Sequence, residues 1–106
     1  MAEPLWIMVM FDLPVQTKEQ RRSANAYRNL LRDLGFTNVQ LSIYAKYLLN
    51  ASGVRHLITP LKNHIPPKGE VRAIRLTDEQ WAATYRWYGQ SAIPTESTPS
   101  QLVLFD

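Results

Sequence analysis

Asp12 follows an unbroken apolar run, Leu5 to Phe11, and stands just before Leu13-Pro14, where the chain must turn. A carboxylate at the end of a buried strand suits a hard cation such as Mg²⁺. That ion takes one or two protein oxygens and completes its shell with water and phosphate. The same position equally suits a turn-forming Asp that accepts bonds from neighbouring backbone N–H groups. No second acid lies nearby in sequence, so a metal site built on Asp12 requires Asp12 of another subunit as well.

The cations come next. Placed at about 100° per residue on a helix, Lys18, Arg21, Arg28 and Arg32 fall together with Arg22 beside them. Ala24, Tyr27, Leu30, Leu31 and Leu34 form an apolar stripe roughly opposite. Such a basic face can track the phosphates of a duplex, or it can simply be a solvated flank. No base-reading motif accompanies it, so any binding is expected to be independent of sequence. Gln40, Ser42, Tyr44 and Lys46 form a third group. They share one side of a strand if that strand is unbroken, and they could line an interface or meet phosphates.

Other constellations are weaker. His56 and His64 are eight positions apart, too far for an i, i+4 ligand pair, and read as surface residues. No glycine-rich phosphate loop, nucleophile elbow or Ser/His/Asp set can be assembled. Trp81, Tyr85 and Tyr88, at helical spacing, read as core or interface anchors rather than a base-stacking platform.

The elements that must position these residues follow from local signals. Leu5 to Phe11, apolar without alternation, predicts a central strand covered on both faces. Thr17 and Gln20 form a capping box for a helix from about Lys18 to Leu34, with Gly35 as its stop. Residues 36–41 and 43–49 predict two short strands with a reversal or bulge near Ser42. A second helix is expected from Val54 to His64, kinked or broken at Pro60. The stiff turn Ile65-Pro66-Pro67-Lys68-Gly69 leads into a strand, Glu70 to Leu76. Thr77 and Gln80 cap a further helix carrying Trp81, Ala82, Tyr85, Trp87 and Tyr88 and ending at Gly89. Gln90 to Ser100 reads as an extended or mobile linker, and Gln101 to Phe105 as a terminal strand. The order β-α-β-β-α-β predicts a ferredoxin-like α+β sandwich over residues 1–89, with the added helix, linker and tail strand completing the chain to 106. That fold serves many functions and by itself assigns none.

Whole-chain properties agree with one small domain. The 106 residues are 45% hydrophobic and 20% charged, with a formal net charge of +3. Cysteine is absent, which excludes disulfides and thiolate metal sites and suits a reducing cytoplasm. No apolar run approaches the roughly 20 residues of a membrane span. Met1-Ala2-Glu3-Pro4 lacks the charged n-region of a signal peptide.

Several stretches, in order, resemble the CRISPR-associated protein 2 family, especially its type II form. They are Val9-Met10-Phe11-Asp12-Leu13-Pro14 with Thr17-Lys18 and Arg21-Arg22, then Tyr27-Arg28, and Gly35-Phe36 leading to Gln40, Ser42-Ile43-Tyr44. Pro66-Pro67-Lys68-Gly69 with Val71-Arg72 and Thr77 with Gln80 complete them. The resemblance implies a symmetric homodimer packed sheet to sheet. It places Asp12 of both subunits near the two-fold axis, as a Mg²⁺ site and the centre of a metal-dependent endonuclease acting on RNA or double-stranded DNA. It also implies a role in prokaryotic spacer acquisition, as a bridge between two CRISPR integrase dimers that cradles duplex DNA, both protospacer and CRISPR repeat. Lys18, Arg21, Arg22, Arg28 and Arg32 would contact phosphates. Gln40, Ser42, Tyr44, Leu102, Leu104 and Phe105 would serve interfaces. The tail Gln101-Leu102-Val103-Leu104-Phe105 reads as a strand added to a sheet edge of a second chain. It is also similar to the short Gln-Leu-x-Leu-Phe motif with which bacterial proteins bind the replication sliding clamp.

Overall fold

The computed structural model describes residues 3–99. Strand β1 (Leu5–Asp12) is followed by helix α1 (Lys18–Asp33), strands β2 (Thr37–Gln40) and β3 (Ile43–Leu48), helix α2 (Val54–Asn63) and strand β4 (Glu70–Thr77). A short helix α3 (Asp78–Ala82) and a small hairpin, β5 (Trp87–Tyr88) with β6 (Ser91–Ala92), close the described chain. The main sheet has the order β2-β3-β1-β4, and each neighbouring pair is antiparallel. Inserting β3 between β1 and β2 makes β1-α1-β2 a split crossover, the arrangement of the ferredoxin-like fold.

β1 lies between β3 and β4 and carries apolar side chains on both faces, which explains its lack of alternation. On the helix side, Leu5, Ile7, Val9 and Phe11 pack with Tyr27 and Leu31 of α1, with Phe36 and Tyr44, and with Leu57 and Leu61 of α2. Tyr27 donates its hydroxyl to the Leu61 carbonyl at 3.2 Å, tying the two helices together, and burial pushes its phenol pKa up. On the other face, Trp6 stacks on Trp81, ring centroids 4.3 Å apart, over Ala45, Met8, Val39 and Leu76.

The two capping boxes form as the sequence expects, Thr17 with Gln20 and Thr77 with Gln80. Gly35 follows α1 with φ +90, the conformation its stop requires. Pro60 does not break α2, which continues to Asn63. Proline removes one intrahelical bond there, and the buried Leu57 and Leu61 on either side hold the helix to the core.

The C-terminal part departs from the sequence reading. α3 ends at Ala82, so Tyr85, Trp87 and Tyr88 do not lie on a helix. Gly89, at φ +61, opens a two-residue turn that folds Trp87–Tyr88 onto Ser91–Ala92, and a tight hairpin outcompetes helix continuation. Tyr85 (84% exposed) and Tyr88 (79%) consequently face solvent instead of anchoring a core; Trp81 alone of the three residues does so. Residues 93–99 have no regular secondary structure, but they do not form a free or mobile linker. Trp81 donates to the Glu96 carbonyl at 2.8 Å, Thr98 to the Asp78 carboxylate at 2.6 Å, and Arg86 pairs with Glu96 at 3.6 Å. Polar composition concealed these anchors, because the bonds run to backbone and to residues far away in sequence. The expected terminal strand with Leu102, Leu104 and Phe105, and the clamp-like motif of 101–105, lie outside the described residues. Among the described residues no helix is long and apolar enough to cross a membrane.

Candidate nucleic-acid interface

Asp12 closes β1 with its side chain on the sheet face turned away from α1 and α2, and it is exposed. A shallow cleft of about 320 Å³ there is lined by Met10, Phe11, Asp12, Ser42, Ile43, Glu70 and Arg72. Three elements meet to form it. The β2–β3 turn is tied down by the Phe11 N–H donating to the Ser42 carbonyl at 3.1 Å. β4 brings Glu70 directly opposite Asp12 and Arg72 opposite Met10. The second carboxylate that the local sequence lacked is thus supplied by the neighbouring strand, 58 positions away. Glu70 is already engaged, since the Arg72 Nε–H donates to its Oε1 at 3.0 Å.

The donor chemistry of this corner fits a hard cation. Asp12 offers carboxylate oxygens in an open cleft beside a second carboxylate, and Mg²⁺ needs only one or two such ligands with water filling the rest. Among the described residues no group of three or more His, Cys, Asp or Glu side chains converges. The corner thus holds two neighbouring carboxylates and no cage.

Five residues link Asp12 to α1, so the basic helix begins at the same end of the sheet. Lys18, Arg21, Arg22 and Arg32 are exposed, whereas Arg28 is half-buried. Arg21 donates through one terminal nitrogen to the carbonyls of Val15 and Gln16, both at 3.1 Å, bracing the loop after β1. Arg32 reaches Asn29 at 3.3 Å. Arg28 is different: it donates to the Leu41 carbonyl at 2.6 Å and its guanidinium lies 5.0 Å from the Phe11 ring centre. It clamps α1 to the β2–β3 turn. We expect Arg28→Met to lower stability by about 1–2 kcal/mol, from a lost hydrogen bond and cation–π contact. Duplex affinity should change far less than on charge reversal elsewhere in the stripe; chemical denaturation and a duplex titration check both.

The third sequence group does not share one side. Residues 41–42 form the turn, and β2 pairs with β3 so that Gln40 faces Ile43 while Asn38 faces Tyr44. The register shift between Asn38 and Gln40 interrupts the alternation that would have aligned them. Tyr44 (1% exposed) is packed in the helix-side core against Phe11, so its ring offers no surface to a partner in this protomer. Gln40 is exposed and Ser42 lines the Asp12 cleft. His56 on α2 and His64, which caps its C-terminus, are both exposed, as expected.

Sequence reasoning missed Glu70 and Arg72 as neighbours of Asp12. It also gave Lys68 no role, although Lys68 lines a cleft with Leu13, Thr17 and Gln20 at the start of α1. The pattern Glu70-Val71-Arg72 held one clue. Alternation puts 70 and 72 on a single face, but only the register with β1 shows which residues they meet.

Comparison with known proteins identifies the family. Residues 5–84 match the family described as CRISPR associated protein Cas2. The chain is 36% identical over 101 residues to a protein of Paracidovorax avenae named CRISPR-associated endoribonuclease Cas2, covering 95% of this chain and 94% of that one. It is 33% identical over 101 residues to a protein of the same name from Flavobacterium psychrophilum, covering 95% and 88%. A solved crystal structure of Cas2 superposes with a TM-score of 0.60 at 17% identity, covering 90% of this chain and 98% of the other, which supports the fold. On the matched span, the identity to these relatives and the shared fold, the chain belongs to the Cas2 family of CRISPR-associated proteins.

Proposed function

We propose that this chain is a homodimeric scaffold of spacer acquisition, which binds duplex DNA without reading its sequence and bridges two CRISPR integrase dimers. The observation that carries this reading is the grouping of exposed Lys18, Arg21 and Arg22 at the start of α1, on the same end of the sheet as Asp12. Cations so placed attract the phosphate backbone through counterion release and need no base-edge donors. The part of this sheet face that Trp81 leaves uncovered supports a second copy as partner. Ile74 is exposed there beside half-buried Met8 and Met10, an apolar strip that sheet-to-sheet packing would cover. Two Asp12 carboxylates meeting at the two-fold would then hold Mg²⁺.

The test is reconstitution. Mixed with the integrase of its own CRISPR system and a short duplex, the chain should sediment as one dimer between two integrase dimers. Separate sedimentation of the two proteins at micromolar concentration rejects the bridge.

A second reading, a Mg²⁺-dependent endonuclease acting on RNA or double-stranded DNA, draws support from the exposed Asp12 carboxylate and from the activity in the relatives' names. Bound Mg²⁺ would polarise a phosphate oxygen and acidify water there. On this reading Asp12→Ala abolishes Mg²⁺-dependent cleavage of both substrates while leaving duplex binding intact.

A further inference from the structure

We infer that Lys68 is a further phosphate contact of the scaffold, carried by the Pro66-Pro67-Lys68-Gly69 turn beside the start of α1; the inference rests on the duplex-binding reading above. The turn is held at the Asp12 end of the sheet. β4 begins at Glu70, the register partner of Asp12, and the Cβ position of Gly69 lies 2.6 Å from the Asp12 carbonyl oxygen. Two successive prolines fix φ through the turn, so the backbone that carries Lys68 has little freedom left to lose on binding. Lys68 itself is exposed and lines a cleft of about 320 Å³ with Leu13, Thr17, Gln20 and Ala24. Ala24 is one of the residues that α1 buries against the rest of the fold, which puts this cleft on the helix side of the sheet. A second copy packed on the opposite face would leave it open.

The charge of Lys68 is unclaimed within the fold. Among the described residues it has no ion pair. No Asp or Glu occurs anywhere from Leu34 to Gly69, and the next acid along the chain, Glu70, is engaged by Arg72 at 3.0 Å. Across the cleft Glu19 is the one carboxylate among the lining residues, and Lys18, Arg21 and Arg22 flank it on α1. With Lys68 added, four cations stand against one acid around the start of that helix. The location suits a single nucleic-acid path. In a sheet-to-sheet dimer the helix layers are outermost, so a duplex crossing the Asp12 ends of both protomers leaves over each α1 start and the turn beside it. Phosphates there would meet Lys68 together with Lys18 and Arg22, and need no base-edge donor. Arg55 provides a control of equal charge. It is exposed near the start of α2, which follows β3 at the Leu5 end of the sheet, away from Asp12.

The experiment is a titration of a labelled duplex followed by anisotropy across a salt series, with wild type, Lys68→Met, Lys68→Arg and Arg55→Met. Lys68→Met should weaken binding roughly fivefold and flatten the dependence of log K on log salt by about 1 for each Lys68 in contact. Lys68→Arg should keep both the affinity and the salt slope, because either cation neutralises a phosphate. Arg55→Met should follow wild type. Three results overturn the inference: Lys68→Met binding like wild type, Arg55→Met losing as much, or Lys68→Arg losing as much as Lys68→Met, which would make the lysine a structural part of the turn. Duplex binding kept by Lys68→Met while its sedimentation with the integrase is lost would also overturn it, since Lys68 would then serve a protein contact. If Lys18→Glu/Arg22→Glu loses binding while Lys68→Met does not, only this inference fails. If neither loses binding, the scaffold reading fails with it.

Discussion

The double charge reversal Lys18→Glu/Arg22→Glu should weaken duplex binding on the order of 100-fold at about 0.1 M salt. Both residues are exposed, and neither has an ion-pair partner among the described residues, so their charge is available to a ligand. Two reversals remove four units from a formal net charge of +3, leaving −1. In a dimer four phosphate contacts would disappear, and the slope of log K against log salt should fall by roughly 3 to 4. The fold should be unharmed. Lys18 is the first residue of α1, just after the Thr17 cap, and an acid in the first helical turn is favoured by the macrodipole. Unchanged thermal unfolding alongside lost binding is therefore the expected pair of results. Binding within threefold of wild type would show that the duplex does not follow this helix.

The largest stability effect from a single methyl group is expected at Gly69. This residue, at φ +101, ends the Pro66-Pro67-Lys68 turn and presses against the end of β1. A Cβ placed there would stand 2.6 Å from the Asp12 carbonyl oxygen and 2.9 Å from Leu13 Cδ2. Gly69→Ala thus combines a backbone conformation that alanine avoids with a collision against backbone that cannot swing away. A cost of about 2–4 kcal/mol follows, which lowers the melting temperature by roughly 10–20 °C for a domain of this size. Gly89→Ala separates the two causes. Gly89 also has positive φ, at +61, but nothing lies within 4 Å of its Cβ position, so only the strain of about 1–2 kcal/mol remains. Equal melting temperatures for the two variants would show that the collision is relieved by movement of the turn.

The contrast between these two glycines shows what the sequence made legible. Signals carried within a few residues were readable: the Thr17 and Thr77 caps, the stop at Gly35, the reversal near Ser42 and the doubly covered β1. What depended on pairing between distant strands was not. Glu70 becomes a neighbour of Asp12 only through the β1–β4 register, and Gly69 abuts Asp12 for the same reason. Arg28 looked like the other cations of its stripe, because its acceptor, the Leu41 carbonyl, is a backbone group thirteen residues on that no side-chain pattern reveals. The C-terminal region misled by composition. Aromatic residues at near-helical spacing suggested a longer helix, yet Gly89 and Gln90 favour a tight turn, and the polar residues beyond are fastened by bonds to Trp81 and Asp78. For the site, Asp12 and the basic helix were identifiable as types and positions. Their closeness at one end of the sheet, and the placing of the Glu70–Arg72 pair of β4 beside Asp12, emerged only with the fold.

The central claim, that the chain serves acquisition as a charged scaffold, is tested most directly by spacer integration in vitro. The purified chain, its cognate integrase and a short duplex are combined, comparing wild type with Asp12→Ala and with Lys18→Glu/Arg22→Glu. The scaffold account predicts that integration survives Asp12→Ala within a fewfold of wild type and is lost on charge reversal. Integration abolished by Asp12→Ala in a complex that still assembles would contradict it and place catalysis at the Asp12 carboxylate first.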